Sequence, residues 1–158
     1  MGRKSVKEDK SAYQLRREKL DLSRERAAQL LETISEDRIG RIELKGLAPH
    51  PDEVVVMAEK YKDPSLCNYY CANQCPIGRL QSIEVEIRDL PTIVLQTVAA
   101  LNAFDKQKNR FIEIAADCQV DETELKDFDD IQKALKKISM SVEALRLWAE
   151  QMALEQKA

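Results

Sequence analysis

The stretch that decides the fold is residues 23–43, SRERAAQLLETISEDRIGRIE. Ser23 and Ser35 each precede a run of helix-forming residues, so each serine is a candidate N-cap. Only a short gap separates the two runs, which predicts a tight turn between two short helices. Ile39 and Ile42 lie on one face of the second helix and are expected to pack back onto the first. The pattern predicts a helix-turn-helix.

Further short helices are predicted on both sides of this motif. Upstream, the apolar set begins after a polar tail at residues 1–10 that is mostly charged. Downstream, residues 45–51 break the helical pattern, and Pro51 is suited to the first position of a new helix, which Pro64 ends. Residues 11–75 are therefore predicted to form a domain of about five helices.

The C-terminal half predicts a different architecture. A linker is predicted at residues 76–90, where the alternation of residues 83–88 is too brief to distinguish a strand from an extended segment. A long helix is predicted over residues 91–116, and a turn then leads to a final helix. The final helix has apolar residues at alternating steps of three and four: Phe128, Ile131, Leu135, Ile138, Val142, Leu145, Ala149 and Met152. This spacing is typical of a coiled-coil seam, so residues 91–158 are predicted to form an antiparallel helical hairpin.

Composition supports an all-α protein. The 158 residues include 34% charged and 5% aromatic residues, with four Gly and five Pro. So few turn-forming residues argue against a sandwich or a barrel. No apolar run approaches the ~18 residues of a membrane span, and no apolar stretch follows the charged start as a secretory signal requires. A cytoplasmic protein without a membrane partner is expected, with its cysteines as thiols or metal ligands.

The net charge of −3 is unevenly distributed. Residues 1–50 contain 12 Lys+Arg and 9 Asp+Glu, or +3, whereas residues 51–158 contain 13 and 19, or −6. A basic end on an acidic body indicates a polyanionic partner for the basic end. The alternative is chance clustering on a solvated surface.

Two segments around the motif carry a resemblance to a known family. Residues 14–23, QLRREKLDLS, and residues 39–46, IGRIELKG, resemble the XRE, or lambda-repressor/Cro-like, helix-turn-helix family. The resemblance covers about residues 12–62 and implies a five-helix, lambda-repressor-like DNA-binding domain. It also implies that Arg17 pairs with Glu43 and pins the recognition helix to the domain. The alternative is two unrelated surface charges.

The resemblance implies double-stranded DNA as the partner, read in the major groove by the helix that starts at Ser35. It places base or phosphate contacts at Arg24, Glu36, Asp37, Arg38, Arg41 and Lys45. The sequence departs from the family at Glu32, where the family often has Gly, and at Gly46, which lies one residue farther from Glu43 than usual. Carboxylates at Glu36 and Asp37 are repelled by phosphate, although an acid can accept a hydrogen bond from cytosine.

Three cysteines form a C-x3-C-x3-C pattern at Cys67, Cys71 and Cys75. Their thiolates are candidate ligands of zinc or of an iron–sulfur cluster, with His50 or Cys118 as a fourth ligand. On an unbroken helix the outer two would lie about 12 Å apart, so such a site needs a bend. The alternative is that the three cysteines pack as small apolar side chains.

No catalytic constellation accompanies these features. The chain has one His and no phosphate-cradling glycine loop, so an enzyme is not expected. The sequence predicts a sequence-specific transcriptional regulator that dimerises through its C-terminal hairpin. Two alternatives stay open: a degenerate helix-turn-helix that acts as a protein-interaction module, and a metal or redox sensor at the cysteines that controls either one.

Overall fold

The computed structural model describes residues 10–44, 46–116 and 119–156, whose regular secondary structure is entirely helical. The prediction of an all-α protein is confirmed. The helices are α1 (Ala12–Lys19), α2 (Arg24–Leu31), α3 (Glu36–Leu44), α4 (Pro51–Lys60), α5 (Ser65–Asn73), α6 (Gly78–Gln81), α7 (Leu90–Asp105), α8 (Lys108–Ala115) and α9 (Leu125–Gln156). Residues 82–89 form neither helix nor strand.

The chain divides into two compact units, with one boundary inside the linker predicted at residues 76–90 and the other within α9, inside the predicted hairpin. The first unit comprises residues up to Glu84 together with those from Glu150, and the second is Val85–Ala149. The first unit contains the helix-turn-helix, and the second contains α7, α8 and most of α9.

Serine caps fix where the first three helices begin. The Ser11 hydroxyl accepts a hydrogen bond from the backbone N–H of Gln14 at 3.2 Å, and Ser23 accepts one from Arg26 at 3.1 Å. The Ser35 hydroxyl accepts one from the N–H of residue 38 at 3.3 Å. Each cap satisfies a backbone donor that has no partner inside the helix.

The first unit is built around large apolar side chains from α1 to α5. The buried cluster comprises Tyr13, Ala27, Leu31, Ile34, Ile39, Ile42, Val54, Met57, Ala58, Tyr61 and Leu66. Ile39 and Ile42 are both about 1% exposed, in keeping with the inward face predicted for them. On α2, Ala27 is completely buried in this cluster, and Ala28 is partly buried against it.

The long helix predicted over residues 91–116 is two helices. α7 ends at Asp105, α8 begins at Lys108, and the Phe104 and Phe111 rings meet edge to face across the break, with centroids 6.3 Å apart. The break lies in the sequence DKQK, which contains neither Pro nor Gly, so no local breaker residue signals it.

The buried line on α9 differs from the predicted seam. Ile131 is buried as expected, but the line continues through the small residues Ala134, Ser141 and Ala144 and ends at Leu147. The predicted seam residues Leu135, Val142 and Leu145 are exposed. Small residues thus occupy much of the buried line, and the larger Leu135, Val142 and Leu145 lie on its flank.

Candidate nucleic-acid interface

The turn between α2 and α3 adopts a backbone conformation that usually favours glycine. Glu32 has φ of 59°, and its N–H donates to the carbonyl of Ala28 at 3.0 Å, which closes the C-terminal end of α2. The turn therefore forms with a glutamate at the position where the resemblance to the XRE family would have led us to expect Gly. The side chain points outward, where the Lys60 ammonium lies 3.4 Å from its carboxylate.

A buried ion pair attaches α3 to α1. Arg17 donates two hydrogen bonds to Glu43, from Nε at 2.6 Å and from Nη2 at 2.8 Å. Only 8% of the Arg17 side chain and 1% of the Glu43 side chain are exposed. The hydrogen bond to Glu43 raises the pKa of the Arg17 guanidinium, which stays charged. The pairing expected for these two residues is present in the structure.

Arg24 completes a cluster of three charges. Its Nε donates to the second Glu43 oxygen at 2.9 Å, and its side chain is 29% exposed. One buried carboxylate thus joins α1 and the start of α2 to the end of α3. A guanidinium in this position keeps donors on the surface side, at the N-terminal end of α2, where helix geometry favours a phosphate.

Arg38 forms an ion pair with Glu53 on α4. Its Nε and Nη2 donate to the two Glu53 oxygens at 2.8 and 2.7 Å, and its side chain is 20% exposed. Glu53 also accepts from the backbone N–H of His50 at 2.7 Å. The hydrogen bond from Arg38 holds the pKa of the Glu53 carboxyl below its usual range. Arg38 must leave this pair in order to contact a base.

The outward face of α3 is short and mixed in charge. Glu36 and Asp37 are exposed in its first turn, and the Arg41 guanidinium reaches back to Asp37 at 2.8 Å. Gly40 lies between Asp37 and Arg41 in the sequence, and a Cβ added there would meet no heavy atom within 4 Å. Leu44 ends the helix with 43% of its surface exposed. Of the cations expected on this helix, Arg41 faces outward and Arg38 does not.

Other basic residues expected at the interface are differently placed. Lys45 and the tail residues Arg3, Lys4 and Lys7 lie outside the described residues. Lys10 forms an ion pair with Glu18 at 2.7 Å. The pKa of the Glu18 carboxyl is lowered mainly by its hydrogen bond from Lys10, and further by one from Gln14.

Sequence reasoning missed two anchoring residues. Glu53 is one of two acids in the first turn of α4, and its position three residues after the cap His50 is the signal that could have identified it. Arg16 lies next to Arg17 on α1. Its guanidinium donates to the carbonyls of Tyr61 and Lys62 at 2.7–3.0 Å and lies 3.3 Å from Asp63, so it anchors the C-terminal end of α4. No local pattern marks that contact.

The three cysteines are half-buried thiols that lie within α5 and just beyond it. Cys67 and Cys71 lie within α5, which ends at Asn73, and the Cys75 sulfur accepts a hydrogen bond from the N–H of Gly78 at 3.4 Å. A Cβ at Gly78 would lie 2.2 Å from the Cys71 carbonyl oxygen, so the chain folds back tightly here.

Among the described residues, no three His, Cys, Asp or Glu side chains are grouped so as to hold a metal ion. Of the fourth ligands considered, His50 is exposed at the start of α4 and Cys118 lies outside the described residues. The structure does not bring the three sulfurs together as ligands.

Comparisons with models of protein families, with curated proteins and with solved structures find no match to the chain. In the part of the chain that the structure describes, no helix has both the length and the apolar character needed to cross a bilayer.

Proposed function

We propose that the protein is a sequence-specific DNA-binding transcriptional regulator whose first unit is a lambda-repressor-like domain. The observation that carries the proposal is the buried Arg17–Glu43 pair, which holds the end of α3 against α1 with both carboxylate oxygens. A helix pinned from its inner face presents its outer face as a rigid surface. That arrangement suits a recognition helix, which must enter the major groove without rotating.

Each exposed group has a proposed role. Arg41 reads a base edge, and the carboxylates of Glu36 and Asp37 accept from cytosine. Arg24 contacts backbone phosphate from the start of α2, and Lys45 does so beyond α3. The resemblance also assigns Arg38 to DNA. Its guanidinium can contact a base only after it breaks its ion pair with Glu53.

The second unit supplies the dimer that such regulators need. We take α7, α8 and α9 as an antiparallel hairpin, in which the Arg110 guanidinium in the first turn of α8 lies 2.8 Å from Asp127 in the first turn of α9. A two-fold homodimer through this hairpin would place two recognition helices on paired half-sites of the DNA.

The test is a selection of binding sites from random double-stranded DNA by the full-length protein, followed by binding curves at two salt concentrations. Arg41→Ala should weaken binding to the selected site by roughly 1–3 kcal/mol and relax the sequence preference at one base position. The matched control is Arg146→Ala, since Arg146 is 52% exposed and paired with a glutamate on α9, much as Arg41 is 54% exposed and paired on α3. Equal losses in both variants, or no selected sequence at all, would contradict the proposal.

A protein-interaction module is the second candidate, and the charge of α3 favours it. Two carboxylates stand in its exposed first turn, while Arg38 is held by Glu53 and Arg24 by Glu43. In this function α3 docks on a basic protein surface instead of phosphate. Glu36→Gln with Asp37→Gln separates the two candidates: non-specific DNA affinity at low salt should rise if α3 faces DNA and stay constant if it does not.

The cysteines remain a proposed sensor that would control either activity. A bound zinc ion or iron–sulfur cluster would require rearrangement around Cys71, the middle of the three. Metal content after anaerobic purification, compared with that of Cys71→Ser, decides this point. A metal-free protein whose melting is unchanged by chelator would assign the three thiols to packing.

A further inference from the structure

The second unit carries an exposed aliphatic face. It consists of Val94, Val98 and Leu101 on α7 and Leu135, Val142 and Leu145 on α9. Each of these six side chains is between 39% and 57% exposed in the chain. On a chain that is 34% charged, six exposed aliphatic side chains on two helices form a candidate interaction site if the two rows lie side by side.

The six residues belong to one side of the proposed hairpin. Five of them directly follow a buried residue: Val94 follows Ile93, Leu101 follows Ala100, Leu135 follows Ala134, Val142 follows Ser141, and Leu145 follows Ala144. One residue along a helix turns the side chain by about 100°. In an antiparallel pair the same sense of rotation on both helices leads to the same side of the seam, so the two stripes adjoin.

This apolar surface exceeds what a two-helix hairpin needs. A two-helix seam requires apolar residues only at alternating steps of three and four. On α7 and α8 that line is already supplied by the buried or half-buried residues Ile93, Thr97, Ala100, Phe104, Phe111 and Ile114. A wider apolar stripe is typical of helices that pack in a bundle of more than two.

The charge pattern of α7 fits a second copy of the chain. No charged residue occurs between Asp89 and Asp105, so the α7 stripe is neutral over its whole length. A two-fold interface sets a surface patch against itself, which makes any unpaired charge near the axis repel its own copy. A neutral aliphatic stripe avoids that repulsion, whereas a partner recognised by charge would find nothing to pair with there.

The size of the face is also suitable. α7 has 16 residues and is about 24 Å long. Two adjacent helices are about 20 Å wide. The footprint is therefore several hundred Å², which approaches the roughly 800 Å² of surface that each partner contributes to a standard interface.

We infer that the aliphatic face is the interface of a homodimer in which two hairpins form a four-helix bundle. The inference rests on the homodimer of the proposed function and not on DNA binding. Beyond this face, toward the end of α9, Trp148 and Met152 are half-buried and offer less apolar surface.

The experiment is sedimentation of the full-length protein over a range of micromolar concentrations. Val98→Glu with Leu101→Glu places two carboxylates in the face and should convert the dimer to monomer with unchanged helix content, since both positions are about half exposed within one chain. The matched control is Gln96→Glu with Ala103→Glu. These two exposed positions lie on the opposite flank of the same helix and should leave the dimer intact.

The outcomes distinguish this interface from an alternative one on α9 and from the DNA-binding proposal. A monomeric unmodified protein overturns it, and so does a Val98→Glu, Leu101→Glu variant that stays dimeric. If Leu145→Glu with Trp148→Glu dissociates the dimer while the α7 variant does not, the interface lies at the far end of α9 instead. A dimer that selects no DNA sequence would leave this inference standing and remove only the DNA-binding proposal.

Discussion

The first unit buries an ion pair among its large apolar side chains, whereas the second unit keeps its ion pairs at the surface and buries a line on α9 in which three of five residues are small. Tyr13, Leu31 and Met57 are almost completely buried in the first unit, beside the Arg17–Glu43 pair. In the second unit, small residues line the buried strip of α9, and its ion pairs are exposed. The first unit is therefore held by buried charge, and the second carries the aliphatic face that we propose for a partner.

The largest expected effect comes from breaking the buried charge cluster. Glu43→Ala leaves Arg17 in the core without its carboxylate and should lower the free energy of unfolding by about 3–5 kcal/mol. Replacing both residues, Arg17→Met with Glu43→Met, should recover much of that loss, because a well-packed apolar pair needs no desolvation of charge. Urea denaturation followed by circular dichroism measures both.

Asp127→Ala provides the comparison in the second unit. It removes the carboxylate that faces Arg110, in a pair whose side chains are 40% and 46% exposed. Solvent screens this pair, so the free energy of unfolding should fall by only a small fraction of the decrease caused by Glu43→Ala. If the two losses are similar, the distinction between a charge-locked unit and a solvent-screened one is wrong.

The contrast between the units also explains how much the sequence could predict. In the first unit the signals are local: Ser23 and Ser35 as caps and Pro51 at a helix start determine the helices almost residue by residue. The Arg17–Glu43 pair came from the resemblance, since no pattern within one helix links residues so far apart in sequence.

In the second unit the sequence predicted helices but not their rotation. Leu135 and Val142 match a seam as well as Ala134 and Ser141 do, and only the packing distance decides between them. The ion pair between Arg38 and Glu53 could likewise not be predicted from the sequence, because both residue types are also common on exposed helix surfaces. Hydrophobic periodicity identifies a helix more reliably than it identifies the neighbour that the helix contacts.

A smaller effect is expected from the Arg38–Glu53 pair, as a dependence of stability on pH. The folded-state pKa of Glu53 is lowered by its hydrogen bond from Arg38, so the pair stabilises the fold above the ordinary glutamate pKa. That stabilisation is lost as the pH falls through the lowered pKa. Glu53→Gln should therefore differ most from the unmodified protein near neutral pH, and the difference should shrink in acid.

Unfolding free energies measured between neutral pH and about pH 3 test this. Asp52→Asn removes a carboxylate from the same turn of α4 and controls for the general loss of charge there. A constant difference across the pH range would show that Arg38 is not held by Glu53 in solution, and Arg38 would then be available to DNA.

The smallest expected effect concerns Gly40, at the centre of the outward face of α3. A glycine within a helix destabilises it by roughly 0.5–1 kcal/mol relative to alanine. Nothing lies within 4 Å of a Cβ built at Gly40, so packing within the chain does not require glycine. Gly40→Ala should therefore raise the free energy of unfolding by about that amount. The reverse exchange at an exposed position of α7, Ala99→Gly, should lower it by a similar amount.

If the open surface at Gly40 serves close approach of DNA, stability and binding should change in opposite directions. Gly40→Leu fills that surface with a good helix former, so the protein should stay at least as stable while its affinity for the selected DNA site falls. Thermal melting and a binding curve on the same preparation measure both. A variant that is more stable and binds equally well would show that DNA does not approach α3 at this point. The outward face of the first unit would then be unassigned, while the aliphatic face of the second would keep its proposed partner.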